Sequence, residues 1–181
     1  MVIDETLLVL SKPLGGIQLE TNYHNNLNDV NVLAEAVRLQ QVVTNLLSNA
    51  IDALEEQENK IIQIDIAQHP QHQASVLLSV SDNGPGISAE MLETLFDPFQ
   101  SSKSNSEGLG LGLAISHSIM SEFRGTIEAS RSELGGARLS LQLLQAHRQD
   151  NNTRKDLDHQ SAPPVQTATQ PSRTRNELES G

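Results

Sequence analysis

The sequence predicts a two-layer α/β sandwich, with a mixed, mostly antiparallel sheet carrying helices on one face and open to water on the other. Three observations carry this. Four segments alternate apolar and polar residues with the two-residue period of half-buried strands: Ile17-Leu19-Thr21, Ile62-Ile64-Ile66, Val76-Leu78-Val80 and Leu139-Leu141-Leu143. Apolar residues recur at 39, 42/43, 46/47, 50/51 and 54, the stripe of one long amphipathic helix over about 35–57. No strand is a continuous apolar run, so a doubly wound parallel sheet is excluded.

In chain order, Leu7, Leu8 and Leu10 mark a short helix over 4–12 that Pro13 and Gly15-Gly16 end. The Ile17 strand follows, and Val30 with Val32 suggests another. The long helix comes next, then the Ile62 and Val76 strands. A glycine-rich middle opens a helix over 111–123. Ile127 with Ala129, and then the Leu139 strand, complete the sheet. Residues 146–181 hold Pro163, Pro164, Pro171 and many Gln, Ser, Thr and Asn, with no apolar period. They read as a disordered tail that cannot offset its ordering entropy.

The chain has 181 residues, enough to bury a core without covalent staples, and no cysteine. Its net charge of −11 lies before residue 146, because the charges after that point cancel. An acidic domain with 2% aromatics is a poor match for nucleic acid. An anionic ligand would need local donors or a cation to overcome that field. No run is apolar enough for a membrane span and no N-terminal stretch reads as a signal peptide, so a soluble segment without membrane contact is expected.

Four clusters carry chemistry. In "NLLSNAIDA", Asn45, Asn49 and Asp52 form one stripe beside the apolar one. Asn is a poor mid-helix residue, so this is either a solvated face or a set of amides with partners, magnesium among them. In "SVSDNGPGI" a strand ends on Asp82 and breaks at Gly84 and Gly86. That is ordinary turn chemistry, or a pocket floor where a carboxylate accepts a hydrogen bond from an adenine amine. In "LFDPFQSSKSNSEG", Phe96 and Phe99 read as rings that pin a loop to the core, and the Ser-rich stretch with Lys103 reads as a mobile lid. In "GLGLGLAIS", Gly108, Gly110 and Gly112 open a helix whose first amides could bind phosphate. No strand precedes these glycines and no Lys-Ser/Thr follows them, so neither the dinucleotide fingerprint nor a P-loop fits.

The order and spacing of the four clusters resemble the asparagine, first glycine, phenylalanine and second glycine boxes of histidine kinases in the GHKL ATPase superfamily. "GGARLSLQL", Gly135 to Leu143, is similar to the closing element. The flavour is that of nitrogen-regulation and dicarboxylate-transport sensor kinases. The resemblance implies a Bergerat ATP-binding fold over 15–145, with residues 1–14 ending a connection to dimerisation helices, and a place in the cytoplasmic part of a membrane-bound sensor kinase. It implies that Asn49 coordinates magnesium, Asn45 helps to hold metal or phosphates, and Asp82 reads adenine. Gly84 and Gly86 would shape the pocket, with Ile87 packing on the base. Lys103 would approach the phosphates, and Gly108, Gly110 and Gly112 would line them.

Hydrolytic members of the superfamily carry a glutamate where this chain has Asn45. An amide cannot take a proton, so weak ATP hydrolysis is expected, with the γ-phosphate presented instead to a histidine. Histidines 24, 69, 72, 117, 147 and 159 lack the acceptor motif. The acceptor is therefore expected on separate dimerisation helices, with a response regulator downstream, and the chain alone should bind ATP without autophosphorylating. A GHKL hydrolase, a serine kinase and a non-catalytic docking module are the alternatives.

Overall fold

Helix α2 (Ala36–Ala53) is the element on which everything else is hung. In the computed structural model, which describes residues 2–24, 27, 30–99 and 110–146, its apolar stripe is fully used. Val42, Val43, Leu46 and Leu47 have no exposed surface, and Leu39 and Ala50 have almost none. The remaining elements are α1 (Val2–Val9), β1 (Gln18–Tyr23), β2 (Ile61–Gln68), β3 (Ser75–Asp82), α3 (Ala89–Thr94), α4 (Gly112–Glu122), β4 (Thr126–Arg131) and β5 (Ala137–Leu144).

The five strands form one sheet in the order β1-β2-β3-β5-β4. Only β1 and β2 run parallel, because α2 is the crossover between them. The other three pairings are antiparallel. Ile62, Ile64 and Ile66 of β2, Val76, Leu78 and Val80 of β3 and Leu139, Leu141 and Leu143 of β5 point into one core with α2. Ile119 and Met120 of α4 close it, and Ile3, Leu10 and Leu14 bring the N-terminal segment into the same cluster.

The mostly antiparallel sandwich matches the fold read from the sequence, with local corrections. Helix α1 is Val2–Val9, and residues 10–16 form turns rather than a helix reaching 12. Helix α2 stops at Ala53 rather than 57: Leu54 and Glu55 donate to Ile51 and Asp52 at i−3, tightening the last turn. Leu54 is still fully buried, which is why its apolar period runs on past the helix. Val30 and Val32 form no strand. Val32 makes a single bridge to Gln145, and the chain turns at once toward α2 through an Ala34 N–H donated to the Val32 carbonyl. Helix α3 was not foreseen. It is capped by Ser88, whose Oγ accepts from Met91 N, and it buries no residue, so it leaves no period to read.

The face away from the helices is not simply wet. Ser75, Ser79 and Ser81 of the central strand β3 are at most 4% exposed. Neighbouring side chains cover them: Ser79 Oγ pairs with Ser140 Oγ at 3.0 Å and accepts from Arg138 Nη2 at 3.1 Å. Polar residues alternate outward as expected, but the middle of a five-stranded sheet has neighbours on both sides.

Gly125 joins α4 to β4. A Cβ there would stand 2.4 Å from the Gln142 carbonyl oxygen and 2.7 Å from Met120 Cε. Gly125→Ala must push β4 from β5 or displace a buried methionine. A loss of about 1–3 kcal/mol is expected, read as a thermal midpoint several degrees lower.

Candidate functional site

Three of the four sequence clusters, those of Asn45, Asp82 and Gly112, meet along one side of α2. At about 100° per residue, Asn45, Asn49 and Ala53 share roughly 80° of arc. Gly84 lies at the Ala53 end, since a Cβ on it would be 3.0 Å from the Ala53 carbonyl oxygen. Gly112 lies at the Asn45 end, where its Cβ would meet the Asn45 amide at 3.7–3.8 Å. Eight residues of helix separate the two ends, about 12 Å of axis.

Asp82 ends β3 on the helix-facing side and is 4% exposed. Its Oδ1 accepts from Gly84 N at 2.8 Å and from Ala137 N at 3.1 Å. Burial pushes its carboxyl above the ordinary carboxylate value, and the two backbone donors pull it back only in part. Both donors converge on one oxygen, so the other is left to define what Asp82 can receive. Gly136 packs directly on this group: a Cβ there would fall 2.1 Å from Asp82 Oδ1 and 2.5 Å from Gly84 N. Gly86 has φ +79°, a left-handed turn that carries the chain past Gly136. Asn83 pins the same loop to the next strand, accepting from Ile61 N at 2.9 Å and donating to the Asn59 carbonyl at 2.8 Å. Ile87 is half-buried just beyond.

At the other end, Asn45 Nδ2 donates to the Gly112 carbonyl and to Ser116 Oγ, each at 3.1 Å. The spacing at Gly112 is ordinary van der Waals contact, so packing within the protein does not itself demand glycine there. Gly110 has φ +63°, and its carbonyl accepts from Phe99 N at 3.1 Å. Asn49, one turn along α2 from Asn45, has a buried Nδ2 with no hydrogen-bond partner among the described residues. Lys103 and Gly108 lie outside the described residues.

Of the two rings expected to pin the loop, only Phe96 does so. It packs on the core and stacks on His117 with ring centroids 5.6 Å apart. Phe99 is 74% exposed, because its left-handed backbone (φ +67°) turns it outward. The other described histidines are occupied locally: His24 Nε2 meets Asp65 Oδ1, His69 Nδ1 accepts two backbone N–H groups in the β2–β3 turn, and the His72 ring lies against that of His69 with centroids 4.8 Å apart. Gly136, Ala137 and Ser116 were not among the expected site residues. The one signal for the first two was the paired glycine before the last strand.

No group of three or more His, Cys, Asp or Glu side chains among the described residues could hold a metal. A cation here would rest on amide oxygens and on ligand oxygens, the hard donor set that suits magnesium. A separate cleft of about 250 Å³, lined by Pro13, Ile51, Asp52, Glu55 and Lys60, opens on another side of the α2 C-terminus. No helix among the described residues is long and apolar enough to cross a membrane.

Residues 34–147 match the family described as histidine kinase-, DNA gyrase B-, and HSP90-like ATPase. The chain is 37% identical over 134 residues to the C4-dicarboxylate transport sensor protein DctB of Rhizobium meliloti, covering 74% of this chain and 21% of that protein. It is 34% identical over 155 residues to the sensor histidine kinase ZraS of Escherichia coli O157:H7, covering 86% of this chain and 31% of that one. The chain thus spans a fifth to a third of the length of these relatives. The catalytic domain of the histidine kinase ThkA superposes with a TM-score of 0.67 at 29% identity, covering 79% of this chain and 91% of that one. With the family match over most of its length and these relatives beside it, the chain belongs to the histidine kinase-, DNA gyrase B-, and HSP90-like ATPase family, as an ATPase-type domain of the sensor histidine kinase branch.

Proposed function

We propose that this chain binds magnesium-ATP along α2 and donates the γ-phosphate to a histidine on separate dimerisation and phosphoacceptor helices, with a response regulator as the eventual recipient. The observation that carries this reading is Asn49. An unpartnered buried amide donor costs about 1–3 kcal/mol, and Asn49 Nδ2 is one among the described residues, a turn from Asn45 on the same side of α2. The N–H₂ group suits a phosphate oxygen. Turned over, the same amide offers its oxygen to a cation. Either way the group fits a magnesium-bound polyphosphate.

The remaining roles follow from position. Asp82 presents its second oxygen to the adenine amine, with Gly84, Gly86 and Ile87 around the base. Asn45 faces the phosphates with its Oδ1, because both its donor bonds go to α4. Gly110 and Gly112 let the phosphates approach the first turn of α4, with Gly108 and Lys103 assigned to the same end by sequence. Magnesium held by Asn49 and Asn45 would supply charge neutralisation against the acidic field of the chain. Asn45 cannot remove a proton from water, so the γ-phosphate is held for an external imidazole rather than hydrolysed.

Two measurements check this. Asn49→Ala is expected to weaken magnesium-dependent binding of an ATP analogue about tenfold or more. It should leave the thermal midpoint of the nucleotide-free chain unchanged or slightly higher, since an unsatisfied group is removed. The decisive test of function is phosphotransfer in trans. The chain is mixed with labelled ATP and a helical dimerisation domain carrying the acceptor histidine. Label on that histidine is expected. Steady ATP turnover by the chain alone, abolished by Asn45→Ala, would instead assign a hydrolase.

A further inference from the structure

We infer that Ser116 is a positioning residue for the nucleotide site, its buried hydroxyl fixing the orientation of the Asn45 amide. Ser116 lies one turn into α4 and is fully buried. Its Oγ donates to the Gly112 carbonyl at 2.9 Å. The single hydroxyl proton is thereby used, and the oxygen can only accept from Asn45 Nδ2, 3.1 Å away. The Gly112 carbonyl is likewise an acceptor and nothing else, and it receives the same Nδ2 at 3.1 Å. Two acceptors on one side of the amide leave one orientation: the N–H₂ group toward α4 and Oδ1 away from it. An Asn between ordinary neighbours could turn over at little cost. Here that would set its oxygen against the Gly112 carbonyl and could use the Ser116 hydroxyl only by taking its proton from that same carbonyl.

The bridge joins residues 71 apart in sequence and ties α2 to the opening turn of α4. It also explains an amide rather than an acid at 45. A carboxylate would face the Gly112 carbonyl with oxygen at either rotation, so Asn45→Asp does not simply restore a hydrolytic base. What Oδ1 then touches rests on the proposed magnesium-ATP reading; the orientation itself belongs to the ligand-free chain.

The test has two arms. In the nucleotide-free chain, the Asn45 side-chain amide signals are assigned by their loss in Asn45→Ala. Their protons are expected to exchange more slowly with water than those of exposed Asn59, and Ser116→Ala should shift them and remove the slowing. In calorimetry with a non-hydrolysable ATP analogue and magnesium, Ser116→Ala is expected to weaken binding about tenfold, the scale of losing a partner that orients a ligand-bearing side chain. In an Asn45→Ala background it should add nothing further. Asn45 signals indifferent to Ser116→Ala, or losses from the two substitutions that simply multiply, would overturn the assignment. If the wild-type chain bound no nucleotide, the proposed function would fall, while the amide signals would still decide the role of Ser116.

Discussion

Gly136→Ala is expected to be the most damaging added methyl among the described glycines, removing both stability and the proposed nucleotide site. The new Cβ would stand 2.1 Å from Asp82 Oδ1, 2.5 Å from Gly84 N and 2.6 Å from the Asp82 carbonyl oxygen. None of these can step aside cheaply, since two are backbone atoms and the third is held by two backbone donors. The ends of β3 and β5 must separate, and the Ala137 N–H bond to Asp82 goes with them. Overpacking of this kind costs about 3 kcal/mol, which lowers the midpoint of a domain this size by roughly 6–12 °C. With Asp82 displaced, affinity for an ATP analogue should fall on the order of a hundredfold, the value of a displaced hydrogen bond to a charged group. Gly135→Ala is the natural control. Residue 135 has open space around it but φ +106°, so alanine there strains the loop without touching Asp82. It should lower stability and spare binding. Thermal unfolding and calorimetry on the two variants separate these outcomes.

Asp82→Asn should have the opposite signature, with binding lost and stability kept or raised. An Asn carbonyl oxygen can still accept from Gly84 N and Ala137 N, so the loop closes as before. The other oxygen becomes an N–H₂ group, which on the proposed reading sets a donor against the donor on adenine. A loss of tenfold to a hundredfold in affinity is expected.

The stability sign follows from linkage. Burial raises the folded-state pKa of Asp82 above its ordinary value of 3.8. The stabilising effect of that shift is therefore fully present below 3.8 and is lost as pH rises through the raised folded value. Once ionised, the wild type carries a buried charge that the Asn variant does not. The variant should be at least as stable at pH 7, and the difference should close as pH falls toward 3.8. Nucleotide affinity of the wild type should weaken over the same acid range. Denaturant unfolding at several pH values checks the first pair of expectations, and calorimetry the last.

The parts of this fold that were legible in the sequence are those where burial follows chain period. Ile62-Ile64-Ile66 and Leu139-Leu141-Leu143 could be read as half-buried strands, and the stripe from Leu39 to Leu54 as the central helix, because each buries the residues its period selects. The illegible parts are those decided by neighbours distant in sequence. Ser79 looks solvated by alternation, yet it is buried because β5 brings Ser140 and Arg138 over it. Helix α3 buries nothing, so its one signal was a capping serine.

The site divides in the same way. Asn45, Asn49, Asp82, Gly84 and Gly112 were named from their motifs, and the fold brings their segments together along α2. The groups that hold them in place were not. Ala137 lies 55 residues from Asp82 and reaches it only through the β3–β5 pairing. Ser116 closes on Asn45 only once α4 docks on α2. Motif residues are unusual types for their local context, so they stand out in one dimension. Residues that orient them are ordinary types whose meaning is entirely spatial.

On the proposed reading, α2, the end of β3 and the opening of α4 form one magnesium-dependent adenine nucleotide site. The most direct measurement is calorimetric titration of this chain with a non-hydrolysable ATP analogue in magnesium, beside the matching guanine nucleotide and a chelated control. One adenine nucleotide per chain should bind, with the guanine nucleotide and the magnesium-free titration each weaker by about tenfold or more. No binding of the adenine analogue, or equal binding of both bases, would contradict it.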